Sequence, residues 1–295
     1  MGHNYIISCC STADLSIEKF AEYDIRYNCF HYELDGVQYP DDLGQTVSFD
    51  EFYKKMANGA DTRTSQPNVE DYEGYFRSLL QSGKDVLHLT LSSGISGAYN
   101  SARIAAETVR AEFPDQKFYL VDSLAAASGF GLLTVTLAEM REQGASIDEV
   151  YAWAEANKNK VHHWFFTTDL TFFVKGGRVS KVSGWFGTVP NICPLLNVDA
   201  NGKLIPRKKL RGKNAVIKAM VEEMKAHAEN GTDYSGRCFM CHSAVEEDAR
   251  AVADLVEAQF PNLKAPVEIY SIGTTIGSHT GPGTVALFFW GDERE

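Results

Sequence analysis

The sequence predicts an α/β protein of two domains, a parallel α/β/α first domain over residues 1–160 and a mixed-sheet α+β second domain over 161–295. Three observations lead there. Short apolar runs at 5–8, 86–91 and 118–122 each lead into a helical stretch, and such βα repetition implies a parallel sheet covered on both faces. Beyond about residue 160 the texture changes. Strand-like runs at 163–168, 192–198, 203–206, 237–242, 267–272 and 284–290 surround two long helices, near 214–228 and 245–259, which fits a mixed or antiparallel sheet with helices on one side. Finally, 295 residues with 44% hydrophobic content exceed what one domain of ordinary size needs.

Local signals place the individual elements. Ser16 starts a helix after the first strand, and residues 28–39 read as a hairpin turning at Asp35-Gly36. Ser48 and Glu51 have the spacing of a capping box, in which the serine caps the helix and the glutamate reaches back. Asn68 precedes the helical stretch 69–81. A second box, Ser146 with Glu149, opens a helix that ends near Lys160.

Composition excludes several function classes. With 39 acidic against 28 basic residues the net charge is -11, a field that repels nucleic acid and anionic membrane surfaces. No basic leader with a long apolar run is present, and no apolar stretch approaches the ~18 residues of a membrane span, so neither export nor stable membrane insertion is expected. Six cysteines in that setting point to reduced thiols and a cytoplasmic location. Cys238-Phe239-Met240-Cys241-His242 spells a haem-attachment pattern. The run is strand-like, however, and residues three apart on a strand face opposite ways. Zinc lacks a second ligand pair, and no metal is expected. Gly129-Phe130-Gly131 lacks the third glycine of a dinucleotide fingerprint, and no Walker motif is present. The basic run Lys203, Arg207, Lys208, Lys209, Arg211 and Lys213 reads as a solvated loop that can also dock an acidic partner.

Three segments suit an anion. Leu91-Ser92-Ser93-Gly94-Ile95-Ser96-Gly97 joins a buried strand to a helix, where unpaired N–H groups, the macrodipole and three hydroxyls favour negative charge. Arg63-Thr64-Ser65-Gln66-Pro67-Asn68 also feeds a helix start and offers hydroxyls without a carboxylate. Ile276-Gly277-Ser278-His279-Thr280-Gly281-Pro282-Gly283 reads as a glycine-rich loop around one histidine, a side chain that donates whether neutral or charged. Many neutral donors and one imidazole suit a carboxylate or phosphate better than a metal. A competing enzymatic reading takes Gly94-Ile95-Ser96-Gly97-Ala98 as a near match to a nucleophile elbow, making Ser96 and His279 a serine esterase or lipase pair. Ala98 stands where the elbow has glycine, and no third acid is evident.

Four motifs in order, Thr64-Ser65-Gln66-Pro67, the Leu91–Gly97 turn, Lys175-Gly176-Gly177-Arg178 and the 277–283 segment, resemble those of the DegV family across nearly the whole chain. Ser11-Thr12-Ala13-Asp14-Leu15 and Val121-Asp122-Ser123 match further family positions. The resemblance implies a DegV-like two-domain fold that catalyses no reaction alone, with the second domain closing a tunnel for one long-chain fatty acid and no cofactor. It implies that Thr64, Ser93 and His279 hold the carboxylate, with Ser65, Ser96, Gly94 and Thr280 as supporting positions. It further implies that a separate ATP-binding fatty acid kinase subunit phosphorylates the acid for phospholipid metabolism, with Arg211 and Arg178 in partner docking. The chain departs from the family pattern at Cys10, where aspartate is usual, and at Cys193, where lysine is frequent. Candidate tail-lining residues are 124–127, Phe130, Leu132, Phe165, Phe166, Phe172, Phe173 and Phe288.

Overall fold

The computed structural model describes residues 3–179 and 191–295. The first half runs β1 (Tyr5–Cys10), α1 (Ile17–Glu22), β2 (Ile25–Asn28), β3 (His31–Leu34), β4 (Val37–Pro40), α2 (Phe49–Ala57), β5 (Thr62–Ser65), α3 (Val69–Leu80), β6 (Asp85–Thr90), α4 (Ala98–Glu112) and β7 (Phe118–Asp122). Then come α5 (Ala127–Glu142) and α6 (Ile147–Asn157). The second half runs β8 (Val161–Thr167), α7 (Thr171–Lys175), β9 (Ile192–Val198), β10 (Leu204–Arg211), α8 (Lys213–His227), β11 (Phe239–His242), α9 (Glu246–Gln259), β12 (Glu268–Ser271), α10 (Thr274–Thr280) and β13 (Thr284–Trp290).

Strands β2-β1-β6-β7 form a parallel sheet, as the βα repetition predicts. Strands β10-β9-β8-β13-β11-β12 form a mixed sheet, antiparallel except for β11 beside β12. Helices α3 and α4 cover one face of the parallel sheet, burying Tyr72, Phe76 and Ala102 against Val86 and Phe118. Helices α8 and α9 cover one face of the mixed sheet, burying Met220, Met224 and Val252 against Phe166, Leu287 and Phe289. Between the two sheets lies α5, apolar almost all round, which is the signature of a helix buried on every side. Its glycines make that position possible. A Cβ on Gly129 would stand 2.4 Å from His163 Nε2, and one on Gly131 would stand 2.6 Å from the Ala13 carbonyl. The Gly-Phe-Gly run is therefore a packing device. Among the described residues no helix is long and apolar enough to cross a membrane.

Helix starts follow the side chains that cap them. Ser16 accepts from the Lys19 amide, and full capping boxes join Asn68 to Asp71 and Ser146 to Glu149. At α2 half the expected box forms. Ser48 caps the Glu51 amide, while the Glu51 carboxylate pairs instead with Lys55 one turn on. The hairpin is shorter than 28–39. Asn28 ends β2 in the parallel sheet, and β3 and β4 turn through Asp35 (φ 52) and Gly36 (φ 82), the left-handed pair of a type I′ turn.

Two expected loops are regular structure. The strand expected at 203–206 forms and continues as β10 through Arg211, so the basic run expected as a loop is mostly sheet edge, where charged side chains keep an open edge from pairing with another chain. The histidine segment is mostly helix. Gly273 caps the start of α10 and Gly281 (φ 68) ends it, while Gly277 lies buried inside the helix.

Candidate functional site

A cavity of about 320 Å³ opens between the two sheets, within the ~300–1,000 Å³ range of ligand pockets. Much of its lining is apolar and comes from alternate strand positions. On β8, His163 and Phe165 face it while Trp164 and Phe166 face α8 and α9. On β13, Thr284, Ala286 and Phe288 face it while Val285, Leu287 and Phe289 turn away. Among the tail-lining candidates, alternation sorts Phe165, Phe166 and Phe288, and position around α5 and α7 sorts the rest. Ala126, Ala127, Phe165, Phe173 and Phe288 line the cavity, whereas Leu124, Ala125, Phe130, Leu132, Phe166 and Phe172 do not. Sequence reading missed Val198 and Leu204, whose facing depends on which sheet face is inner, and Phe30, Ile272 and Ile276, which lie between elements or on α10.

The polar groups are linked to one another. Thr64, on β5 at the edge of a small sheet ordered β4-β3-β5 and beside Tyr32 of β3, brings its Oγ1 to 2.7 Å from His279 Nε2 on α10. Arg178 brings a guanidinium nitrogen to 3.5 Å from His279 Nδ1. Burial, with Arg178 adding to it, lowers the His279 pKa to about 4, so the imidazole is neutral at pH 7. The geometry also sets its tautomer. Arginine only donates, so Nδ1 must accept. Nε2 therefore carries the proton and donates to Thr64 Oγ1, which leaves the threonine O–H free to donate into the cavity.

Of the three serines in the Leu91–Gly97 turn, one lines the cavity. Ser96 Oγ donates to Gln66 Oε1 at 3.0 Å and accepts from the Ala98 amide at the start of α4 at 3.1 Å. Ser92 is buried and donates to the Gly202 carbonyl at 2.8 Å. Ser93, expected among the anion ligands, is exposed, and its amide donates to Asp122 at 3.1 Å. The turn twists Ser93 outward, and Ser96 takes the inward position. Gly94 lies where the β9–β10 turn packs down. A Cβ there would meet the Asn201 carbonyl at 2.4 Å. Ser65 and Thr280 line the cavity, and Thr280 Oγ1 is buried with no hydrogen-bond partner among the described residues. Gln66, quoted within a motif but given no role of its own, belongs to this set.

The two arginines separate. Arg178 lies on the cavity wall beside His279, so its position is at the head of the site. Arg211 is exposed at the end of β10. Around it Arg207 donates to Asn197, Lys208 pairs with Glu223 and Lys213 with Asp248.

The geometry does not build a hydrolase. Ser96 bonds Gln66 and the helix start, and His279 bonds Thr64. A triad histidine needs a carboxylate on its far nitrogen, and here that nitrogen faces Arg178. Cys238 and Cys241 lie in different cores, as the strand argument required, so they cannot ligate one ion together.

Comparison with known proteins agrees with this architecture. A family model described as uncharacterised proteins of the DegV family matches residues 7–292. A DegV domain-containing protein of Clostridium perfringens is 35% identical over 99% of both chains. A Thermotoga maritima protein named fatty acid-binding protein is 34% identical over 94% of each. The crystal structure of a DegV lipid binding protein from Thermotoga maritima superposes with a TM-score of 0.83 at 31% identity, covering 99% of this chain and 100% of that one. The chain belongs to the DegV family.

Proposed function

We propose that the protein binds one long-chain fatty acid in this cavity, its carboxylate among Thr64, Ser96 and His279 and its tail along Phe165, Phe173 and Phe288. The observation that carries the reading is a linked set of neutral donors joined to an apolar cavity. A buried carboxylate is costly unless several donors compensate: the Thr64 O–H is free to donate, Ser96 turns its O–H from Gln66 to the acid when it binds, and no described lining residue is acidic. Each buried methylene contributes about 0.8 kcal/mol, so the tail supplies most of the affinity. The Thermotoga relative's name supports the same ligand class. In this reading residues 1–160 supply the hydroxyl donors, and residues 161–295 supply the imidazole and close the tunnel.

The bound acid is held but not activated. The fatty acid therefore reacts only when a separate ATP-binding kinase subunit delivers a phosphoryl group, and the basic edge strand ending at Arg211 is the docking surface. Titration of delipidated protein with oleate should saturate at one site per chain, and no saturable binding contradicts the proposal. With the cognate kinase subunit, magnesium and ATP, acyl phosphate should form and be trapped as a hydroxamate. Arg211→Ala should abolish that product and leave lipid binding intact. Full turnover by Arg211→Ala would exclude the docking assignment.

A further inference from the structure

The face of the mixed sheet turned away from the cavity carries a second cluster. His162 precedes cavity-facing His163, so strand alternation points it toward α8. His227 is the last residue of α8, and Asp292 follows β13 in the C-terminal tail. Three separate elements thus converge. His162 Nε2 lies 2.9 Å from Asp292 Oδ1 and 3.0 Å from the Asp292 carbonyl. His227 Nδ1 lies 3.2 Å and 3.3 Å from the two carboxylate oxygens. One ligand atom from each residue falls within 4.8 Å of the others.

Two further observations point to a ligand. Both imidazoles are held in a stack. His162 lies on His227 at 4.9 Å and on Phe289 at 5.2 Å, and His227 also lies 5.9 Å from Trp164. Their ring edges are thereby aimed at Asp292 before anything binds. In addition, His227 Nε2 faces the buried carboxylate of Glu223 at 3.8 Å. At that distance the carboxylate stands behind the ring as an outer-shell partner, and outer-shell carboxylates recur around histidines that ligate metals.

We propose that His162, His227 and Asp292 form a binding site for a divalent transition-metal ion, with zinc the best fit and water completing the shell. Two imidazoles and one carboxylate suit zinc, cobalt or nickel, and suit calcium or magnesium poorly. The His162–Asp292 and His227–Asp292 separations of 2.9–3.3 Å match edges of a polyhedron whose metal–ligand bonds are about 2.0–2.1 Å. Asp292 is 60% exposed, which leaves an entry path and room for water. The site braces the C-terminal tail. The Asp292 amide donates to the His227 carbonyl, Arg294 reaches the Leu124 carbonyl beside the cavity loop, and the Ala200 amide donates to Glu295. The site is independent of the fatty-acid reading.

The test uses the full chain after treatment with EDTA and its removal. Zinc titrated by calorimetry should bind at one ion per chain, and cobalt should give the visible absorption of a low-coordinate nitrogen–oxygen site. At a hundredfold excess over Kd, zinc should raise Tm by roughly 5 °C. His162→Gln, His227→Gln and Asp292→Asn should abolish saturable binding, and Glu223→Gln should weaken it by about 10- to 100-fold. Asp292→Asn changes an exposed side chain, so it tests the site even if a histidine variant fails to fold. Cys29→Ser should bind like the wild type. Absence of saturable zinc or cobalt binding, undiminished binding by Asp292→Asn, or loss of binding in Cys29→Ser would each overturn the proposal.

Discussion

Replacing Ser96 and Ser93 separately by alanine distinguishes the cavity-facing serine from its neighbour in the same turn. Ser96 Oγ lines the cavity, donates to Gln66 at 3.0 Å and accepts from the Ala98 amide at 3.1 Å. Ser93 is exposed and contributes its backbone amide to Asp122, a bond that alanine keeps. Removing a donor to a buried carboxylate costs about 1.5–3 kcal/mol. That corresponds to roughly 10- to 150-fold weaker binding for Ser96→Ala. Loss of the hydrogen bond to the Ala98 amide should cost a further ~0.5–1.5 kcal/mol of stability. Ser93→Ala should change neither quantity measurably. The assay is calorimetric titration of delipidated protein with oleate, with denaturant unfolding alongside. If Ser93→Ala loses as much affinity as Ser96→Ala, or if Ser96→Ala binds like the wild type, the assignment of the inward serine is wrong.

Other substitutions follow from close contacts and buried charges. Gly94→Ala places a Cβ 2.4 Å from the Asn201 carbonyl, so the β9–β10 turn must lift. It should lower stability by about 1–3 kcal/mol and weaken oleate binding, both readable in the same assays. His88 is buried with its Nδ1 2.7 Å from Ser8, and burial holds its pKa at about 3. The unfolded chain, with an ordinary pKa of ~6.5, takes up that proton first as pH falls. Stability present above pH ~6.5 is therefore lost on acidification, by about 2 kcal/mol between pH 7 and 5. Unfolding of His88→Gln at both pH values should lack that increment. Asp14 is the opposite case. Burial and then the charge of Asp41 raise its pKa well above the usual carboxylate value. Its protonated form is favoured in the fold, so its contribution is full below pH ~3.9 and lost as pH rises. Asp14→Asn should gain on the wild type in urea unfolding between pH 4 and 8, and an unchanged difference would contradict the assignment.

How much was legible in the sequence depended on whether the signal was local. Caps at Ser16, Asn68 and Ser146, the Asp35-Gly36 turn and the βα repetition act within a few residues, and the structure shows each of them. The α10 segment misled because glycines serve both as loop residues and as helix ends. Its helix is also held by tertiary partners, Asp41 accepting from Thr274 at 2.8 Å across the fold. The basic strand β10 misled because charge masks strand propensity at a sheet edge, where pairing with β9 decides. At the site, residue types were legible and directions were not. Thr64 and His279 meet across 215 positions of sequence, and only the fold shows that Ser96 rather than Ser93 turns inward. The cluster of His162, His227 and Asp292 has no local spacing signature, since its members lie on a strand, a helix end and the tail.

Extraction of the purified protein under denaturing conditions, with mass spectrometry of the released lipid, tests the central claim most directly. The cavity and its linked donors predict about one long-chain fatty acid per chain, and markedly less in Thr64→Ala and His279→Ala. Protein that releases no fatty acid, and that still takes up none when incubated with palmitate or oleate, would contradict the account.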